Sequence, residues 1–215
     1  LLENFDLSHS HTIIGETYED LPWNWKVMLE NFNDGYHANR LHLGIGDHLP
    51  SKNAKFLDLD ANDNHITRLN YCTHIDGSFS PTGKCILPVF QGLTDDERHR
   101  VMFALLPPSL GLAVAPDNVT YFVVNPKSAE RIDIHIGYCL APHAPESPVF
   151  EYLFEQFKDG VNNFNVQDIH ADTMVQRGLR SRFGPHGRYS WQEETLRQFN
   201  FWLVQRYRAA WPRHT

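Results

Sequence analysis

The chain has 215 residues, of which 41% are hydrophobic and 13% aromatic, so it is long enough for one domain with a sizeable core. Its net charge is −7 and no lysine-arginine block lies among the aromatic residues, which argues against nucleic acid or an anionic membrane as a partner. No apolar run approaches the roughly 20 residues of a membrane span, and the start shows no signal peptide. We therefore expect a cytoplasmic protein.

The first half of the chain predicts a mixture of strands and helices. β-Branched residues near the start favour a strand, and apolar side chains at helical spacing follow it. Three glycines and two prolines without periodicity indicate a long loop further on. In chain order, we predict a strand at 11–19, a helix at 24–42, a hairpin with strands at 56–59 and 66–71 around a polar turn at 60–64, a loop at 76–93 and a short helix from Thr94.

The second half predicts an antiparallel meander followed by two long helices. A capping box of Ser190 and Glu193 begins the last helix. A curved antiparallel sheet with long helices at its ends fits an α+β helix-grip fold, in which the sheet and the last helix enclose a cavity. The predicted elements are strands at 101–106, 110–115, 119–125 and 132–139, a helix from Leu153 to Leu179, and a closing helix with the apolar stripe Leu196, Phe199, Leu203, Tyr207 and Trp211.

The predicted helix at 24–42 carries a candidate metal-binding pattern. Asn31, Asp34 and His37 lie three apart and are expected to share a polar helix face. His42 is about 140° from His37 around a regular helix, so both imidazoles reach one ion only if the helix distorts or ends between them. Two imidazoles and a remote carboxylate leave three octahedral positions open, which suits Fe(II) and dioxygen chemistry. Two surface histidines would show the same spacing, so that alternative stays open for this segment alone.

Asp168 is predicted to join the buried face of the long helix. An unpaired buried carboxylate would cost several kcal/mol or take up a proton, so it needs a cation, which a metal held by two histidines would supply. The alternative is a helix break near Gly160 or Asn162-Asn163, which would leave Asp168 at an exposed end. The apolar stripe that Asp168 joins in register consists of Phe154, Phe157, Val161, Phe164, Val175 and Leu179.

Two segments together resemble the Rieske non-haem iron oxygenases, the α subunits of ring-hydroxylating oxygenases. Residues 24–42 read N-W-K, then E-N, then D-x-Y-H-x-x-x-x-H, which is similar to that family's mononuclear-iron helix. Residues 168–179, with their trailing V-Q-R-G-L, look like its third-ligand helix. The resemblance covers nearly the whole chain as the family's catalytic domain. It implies that His37, His42 and Asp168 bind Fe(II), and that Asp34 links the iron site to an electron-donating cluster.

The resemblance also implies components beyond this sequence. In the family, a Rieske domain with two Cys and two His ligands for a [2Fe-2S] cluster precedes the catalytic domain. Cys72 and His74 form a lone Cys-x-His with no Cys-x-x-His after it, and the chain begins with Leu1. We therefore expect residues 1–215 to be the mononuclear-iron catalytic domain of a longer polypeptide, with a cluster on a separate chain as the alternative. NAD(P)H would supply electrons through a separate reductase or ferredoxin, and a homotrimer or a multiple of one is implied.

Three functional classes remain open from the sequence. The leading hypothesis is an oxygenase that uses Fe(II), O2 and electrons from a Rieske cluster to hydroxylate a small organic substrate, with oxidative demethylation of a quaternary amine as an alternative reaction. A metal-free carrier of an apolar ligand, with the same fold, is the second class. A zinc hydrolase ranks lowest, because the sequence places no glutamate as a general base.

The walls of the substrate pocket are expected close to the ligands in sequence. Asn31, Phe32, Ala38 and Phe164 combine apolar surface with one amide, which suits an aromatic or similarly flat compound. Aromatic side chains also surround quaternary amines well. The sequence therefore leaves the substrate, and the choice between monooxygenation, dioxygenation and demethylation, undecided.

Overall fold

A seven-stranded antiparallel sheet forms the centre of the computed structural model, which describes residues 1–59, 64–184 and 187–211. The order in the sheet is β1-β7-β6-β5-β4-β3-β2, so each strand from β2 to β7 pairs with the next and β1 joins the far edge beside β7. The predicted meander is confirmed. The strands are β1 (His11–Leu21), β2 (Ala54–Phe56), β3 (Ile66–Tyr71), β4 (Arg100–Leu106), β5 (Leu110–Ala115), β6 (Asn118–Ser128) and β7 (Arg131–Leu140).

Two long helices and four short ones accompany the sheet within the described residues. Thr94 caps α4 through a capping box with Glu97, and the predicted box of Ser190 and Glu193 begins the turn before α6. No described helix is both long and apolar enough to cross a bilayer. The helices are α1 (Trp25–Asn33), α2 (Ala38–Leu41), α3 (Ile45–His48), α4 (Asp95–Arg98), α5 (Phe150–Leu179) and α6 (Glu194–Ala210).

The helix α5 runs without a break for 30 residues, so the alternative of a break near Gly160 is wrong. Gly160 is needed for packing instead. A Cβ at this position would lie 2.5 Å from the carbonyl oxygen of Phe79, which belongs to the loop predicted at 76–93. The absent side chain thus lets that loop lie directly against the helix.

Hydrophobic side chains cover both faces of the sheet, because successive residues of a strand point to opposite sides. On β4, Val101 and Leu105 belong to the main core that α1, α5 and α6 cover, whereas Met102 and Ala104 face a second cluster. Phe5, from the N-terminal segment, packs in that second cluster against Phe90. The helices therefore share one face of the sheet, and the candidate site lies between them and the strands.

Three details of the predicted elements are wrong. The strand β2 lies at 54–56 and not at 56–59, while the predicted turn at 60–64 falls largely outside the described residues. On α5, Val175 and Leu179 are exposed, because Asp172 and Gln176 occupy the buried face of the last turns. Tyr207 and Trp211 at the end of the closing stripe are likewise exposed.

Candidate metal centre

The histidine segment consists of two helices separated by an irregular turn. The helix α1 ends at Asn33, Asp34 has an extended backbone, and α2 begins only after His37. The expectation that the helix ends between the two histidines is confirmed, since α2 stops at Leu41 and His42 has an extended backbone. The shared helix face of Asn31, Asp34 and His37 is wrong, because a further break lies at Asp34. His37 and His42 instead flank the single turn of α2, which lets both rings point towards α5.

His37, His42 and Asp168 converge, although α5 lies more than a hundred residues from α2 in the chain. Nε2 of His37 is 3.5 Å from Oδ1 of Asp168, and Nε2 of His42 is 3.3 Å from the same oxygen. The two rings lie edge to face with centroids 5.3 Å apart. His42 is buried and Phe164 packs edge-on against its ring at 5.0 Å, so its orientation is also limited by packing.

The second nitrogen of each imidazole is held by a neighbouring oxygen. Nδ1 of His37 lies 3.3 Å from Oδ2 of Asp34, and Nδ1 of His42 lies 2.9 Å from Oε1 of Gln167. An oxygen acceptor at Nδ1 favours the tautomer with its proton there and leaves Nε2 free to bind a metal. Asp34 is itself fixed, because its Oδ1 accepts a hydrogen bond from the backbone N–H of Tyr36 at 2.6 Å.

The electrostatics of this cluster favour positive charge between the carboxylates. Burial opposes a charge on His37, but hydrogen bonds to Asp168 and Asp34 outweigh it and raise the pKa of His37 to about 9. Burial also opposes ionisation of Asp168, yet contacts with His37 and His42 lower its pKa to about 2. Burial is outweighed for Asp34 as well, since His37 lowers its pKa. A metal cation bound between these groups would displace the proton of His37.

Asn31 connects the cluster to a second buried carboxylate. Its Nδ2 lies 3.3 Å from Oδ1 of Asp168 and 3.1 Å from Oδ1 of Asp172. Asp172 is 2% exposed, and burial raises its pKa to about 8. The sequence reasoning missed Asp172, although its position four residues after Asp168 on a helix was a usable signal.

A cavity of about 120 Å³ opens beside the cluster and is lined by all three candidate ligands. Phe79, Phe103 and Phe122 make much of its wall apolar, and Arg68 adds a charged group that sequence reasoning missed. Strand alternation was the available signal for Arg68, since it shares a face with buried Ile66. The four predicted pocket residues, Asn31, Phe32, Ala38 and Phe164, all line this cavity.

The donor set fits a mononuclear iron ion. One atom from each of His37, His42 and Asp168 can be chosen so that all three lie within 4.8 Å of one another, and no other group of three potential ligands this close was found in the described part of the chain. Two imidazoles and one carboxylate form the donor set of non-haem Fe(II) sites with open positions. The oxygens behind both rings complete the arrangement expected around such ligands.

Comparison with known proteins identifies the family. Residues 9–209 match the family described as the ring hydroxylating alpha subunit, catalytic domain. The chain belongs to this family. Its catalytic-domain sequence thus extends from just before β1 almost to the end of α6. No curated protein matches this member by sequence.

Solved structures share the fold of this ring-hydroxylating family member at low identity. A quaternary ammonium Rieske monooxygenase, described with carnitine oxidation by gut microbiota and inter-subunit electron transfer, superposes with a TM-score of 0.65 at 19% identity, covering 90% of this chain and 50% of that one. Dicamba monooxygenase bound to dicamba gives 0.61 at 12%, covering 94% and 60%. Naphthalene 1,2-dioxygenase with indole bound in the active site gives 0.57 at 15%, covering 85% and 47%. The chain therefore spans about half the length of the first of these structures.

Proposed function

We propose that this chain is the catalytic domain of an oxygenase that holds Fe(II) at His37, His42 and Asp168 and uses O2 to hydroxylate a small, aromatic organic substrate. The observation that carries the proposal is the convergence of these three side chains, from the two ends of α2 and from α5, at the wall of a largely apolar cavity. Family membership supplies the class of chemistry.

Each side chain has a distinct task in this proposal. His37 and His42 offer Nε2 as neutral donors, while Asp34 and Gln167 hold the opposite nitrogens. Asp168 supplies the negative charge, and Asn31 steadies its carboxylate at 3.3 Å. Bound Fe(II) would supply the activation of O2, with electrons delivered from outside the domain.

The cavity wall contributes positioning and exclusion of water. Its phenylalanines present apolar surface to the substrate beside the ligand atoms, and Phe164 contacts both the cavity and the ring of His42. Exclusion of water by an apolar wall strengthens the electrostatic interactions inside the site and suppresses side reactions with solvent. The substrate is thus held next to the metal ligands by shape.

Asp34 is the proposed contact for electron supply. Its side chain is 19% exposed, and it bonds to the nitrogen of His37 that faces away from Asp168. A [2Fe-2S] cluster of a Rieske domain, in a homotrimer or a multiple of one, would approach this carboxylate. A reductase or ferredoxin would reduce the cluster again with electrons from NAD(P)H.

Oxidation of a quaternary amine is the second candidate. Five phenylalanines line the cavity, and aromatic faces attract quaternary ammonium groups. The fold similarity to a quaternary ammonium Rieske monooxygenase is compatible with this chemistry. The five are Phe32, Phe79, Phe103, Phe122 and Phe164.

Iron content after anaerobic reconstitution tests the proposed site. His37→Ala, His42→Ala and Asp168→Ala should each lose stoichiometric iron, because a site with three protein ligands has none to spare. His170→Ala is the matched control, since His170 is exposed on α5 only two residues from Asp168. Near-wild-type iron in any of the three variants would remove that residue from the ligand set. A wild-type chain without iron would favour the metal-free carrier.

A further inference from the structure

Arg68 is buried at the wall of the cavity beside the candidate metal ligands. It lies on β3, where it pairs with Phe103 of β4, and only 4% of it is exposed. The guanidinium carbon lies 4.1 Å from the centroid of the Phe103 ring, which stacks the planar group in one orientation. Arg68 is therefore held firmly and faces the space where the proposed substrate would bind.

Neutral groups take up part of the hydrogen-bonding capacity of Arg68. Its Nε donates to Oδ1 of Asn70 at 3.1 Å, and its Nη1 donates to the carbonyl oxygen of Phe32 at 3.2 Å. Within residues 1–59, 64–184 and 187–211, Nη2 donates no hydrogen bond. One arm of the guanidinium thus remains available to a ligand.

The positive charge of Arg68 also lacks a direct partner in the described part of the chain. Asp34 is the acid whose charge acts on it, but no carboxylate oxygen lies within 4.0 Å of the guanidinium. The oxygens of Asp34 already bind Tyr36 and His37. Burial lowers the pKa of Arg68 to about 10, which still leaves it charged at neutral pH. A buried charge of this kind is costly unless an anion pairs with it.

The volume of the cavity limits the size of the group that such an anion can carry. This volume is about 120 Å³, and an engineered apolar protein cavity of about 150 Å³ holds one benzene molecule. Phe103 and Phe122 provide aromatic surface next to Arg68. A compound with one ring, or an apolar group of similar size, fits this space.

We propose that the substrate of this site carries a carboxylate that Arg68 binds through its free Nη2, with a group of about one ring's size against the phenylalanines. The inference rests on the proposed function, because it takes the cavity to be the substrate site. Asn70 serves as a positioning residue, since its amide oxygen fixes the guanidinium through Nε. An aromatic acid and a betaine share the required carboxylate, and the experiment separates them.

Binding to the metal-free wild-type chain gives the first test, because a carboxylate then has no metal to bind. The ligands are benzoate, its neutral isostere benzamide, benzyltrimethylammonium and the betaine 4-(trimethylammonio)butanoate, each titrated by calorimetry. Benzoate or the betaine should bind at least about tenfold more tightly than the two ligands without a carboxylate. Tighter binding of the betaine assigns the remainder of the substrate to a quaternary amine. Equal affinities, or no binding of either carboxylate at 10 mM, would overturn the inference.

Variants test whether Arg68 is the group responsible. Arg68→Gln should weaken the favoured carboxylate by about 10- to 100-fold and leave benzamide unchanged. Arg40→Gln removes the same charge from an exposed position between His37 and His42, and should change neither affinity. If Arg68 only screens the charge of Asp34, the Arg68→Gln variant should still prefer carboxylates. That result would overturn the assignment.

A folded alternative and an iron measurement keep the test decisive. If circular dichroism shows that Arg68→Gln is unfolded, Arg68→Lys is tested in its place. Lysine keeps the charge but loses the planar fork of arginine, so about a tenfold loss of carboxylate affinity is expected. Iron content in the Arg68 variant should equal that of wild type, since Arg68 is not a proposed ligand. If the wild-type chain binds iron but does not prefer carboxylates, the inference about Arg68 is overturned and the proposed oxygenase stands. Carboxylate preference without iron would overturn the proposed oxygenase and leave an acid-binding cavity.

Discussion

Gln167 places its Oε1 2.9 Å from Nδ1 of His42, while Nε2 of the same ring faces Asp168 at 3.3 Å. A residue adjacent to a proposed ligand on α5 thus orients a second proposed ligand, His42, which directly follows α2. We expect Gln167→Ala to weaken iron binding by about 10- to 100-fold, because the ring of His42 loses the acceptor that sets its tautomer. Equilibrium titration against a competing chelator measures the change.

Asn163 provides the control for Gln167. It lies one helical turn earlier on α5, is exposed, and forms no hydrogen bond with His42 among the described residues. Asn163→Ala should retain wild-type iron affinity. Equal affinities in both variants would show that packing against Phe164 alone orients His42.

Asp34→Asn tests the proposed path of electrons. The change keeps the size of the side chain and removes its charge, so most of the iron should remain while electron transfer nearly stops in the oligomer that carries the Rieske domain. Iron per chain and pre-steady-state oxidation of the cluster are measured in the same preparation. Asp47→Asn, an exposed aspartate of α3, is the control. Full-rate oxidation in Asp34→Asn would reject the bridge.

The pH dependence of the metal-free chain should report on His37. Its folded pKa of about 9 exceeds the value of 6.5 expected when unfolded, so its stabilisation is fully present below pH 6.5 and is lost as the pH rises to 9. The pKa of Asp168 is lowered to about 2, so its contribution to stability is lost at acid pH, as the pH falls from 3.8 to 2. We expect the free energy of unfolding to fall by about 1–3 kcal/mol between pH 6.5 and 9.

Urea denaturation at several pH values measures this dependence. Iron-loaded protein should not show the part of the fall that belongs to His37, because the metal takes the place of its proton. His37→Gln should show only the contribution of Asp172, which ends near pH 8. A wild-type fall that persists unchanged in His37→Gln would contradict the assignment.

Asp172→Asn is expected to stabilise the metal-free chain. Asp172 is buried, and its Oδ2 has no hydrogen-bond partner in the described part of the structure. Its pKa is raised to about 8, so the advantage of its protonated form is complete below pH 3.8 and is lost as the pH rises to 8. The variant keeps the oxygen that accepts from Asn31 and should exceed wild type by about 2 kcal/mol at pH 8.

The comparison with wild type must depend on pH to support this explanation. At pH 4 the two proteins should have nearly equal stability, since both then carry a neutral side chain in the folded state. Asp159→Asn, at an exposed position of the same helix, should show no such difference at either pH. A gain in Asp172→Asn that is the same at pH 4 and pH 8 would point to packing and not to charge.

The sequence by itself determined most of the secondary structure and the identity of the three candidate ligands. Alternation along β4 to β7 and helical spacing along α5 are local patterns, because side-chain direction follows directly from the backbone period. The Asp-x-x-His-x-x-x-x-His spacing likewise lies within a single short segment, which made Asp34, His37 and His42 recognisable together.

Only the tertiary structure decided how these residues meet and what surrounds them. Spacing predicts which residues share a helix face, but the angle at which α5 packs on the sheet decided that Asp172 is buried while Val175 is exposed. The break at Asp34, by contrast, is accompanied by local contacts with Tyr36 and His37, which helical periodicity does not reveal. Arg68 became part of the site because β3 brings it beneath α1, where the carbonyl of Phe32 and the ring of Phe103 hold a charge that sequence alone would assign to solvent.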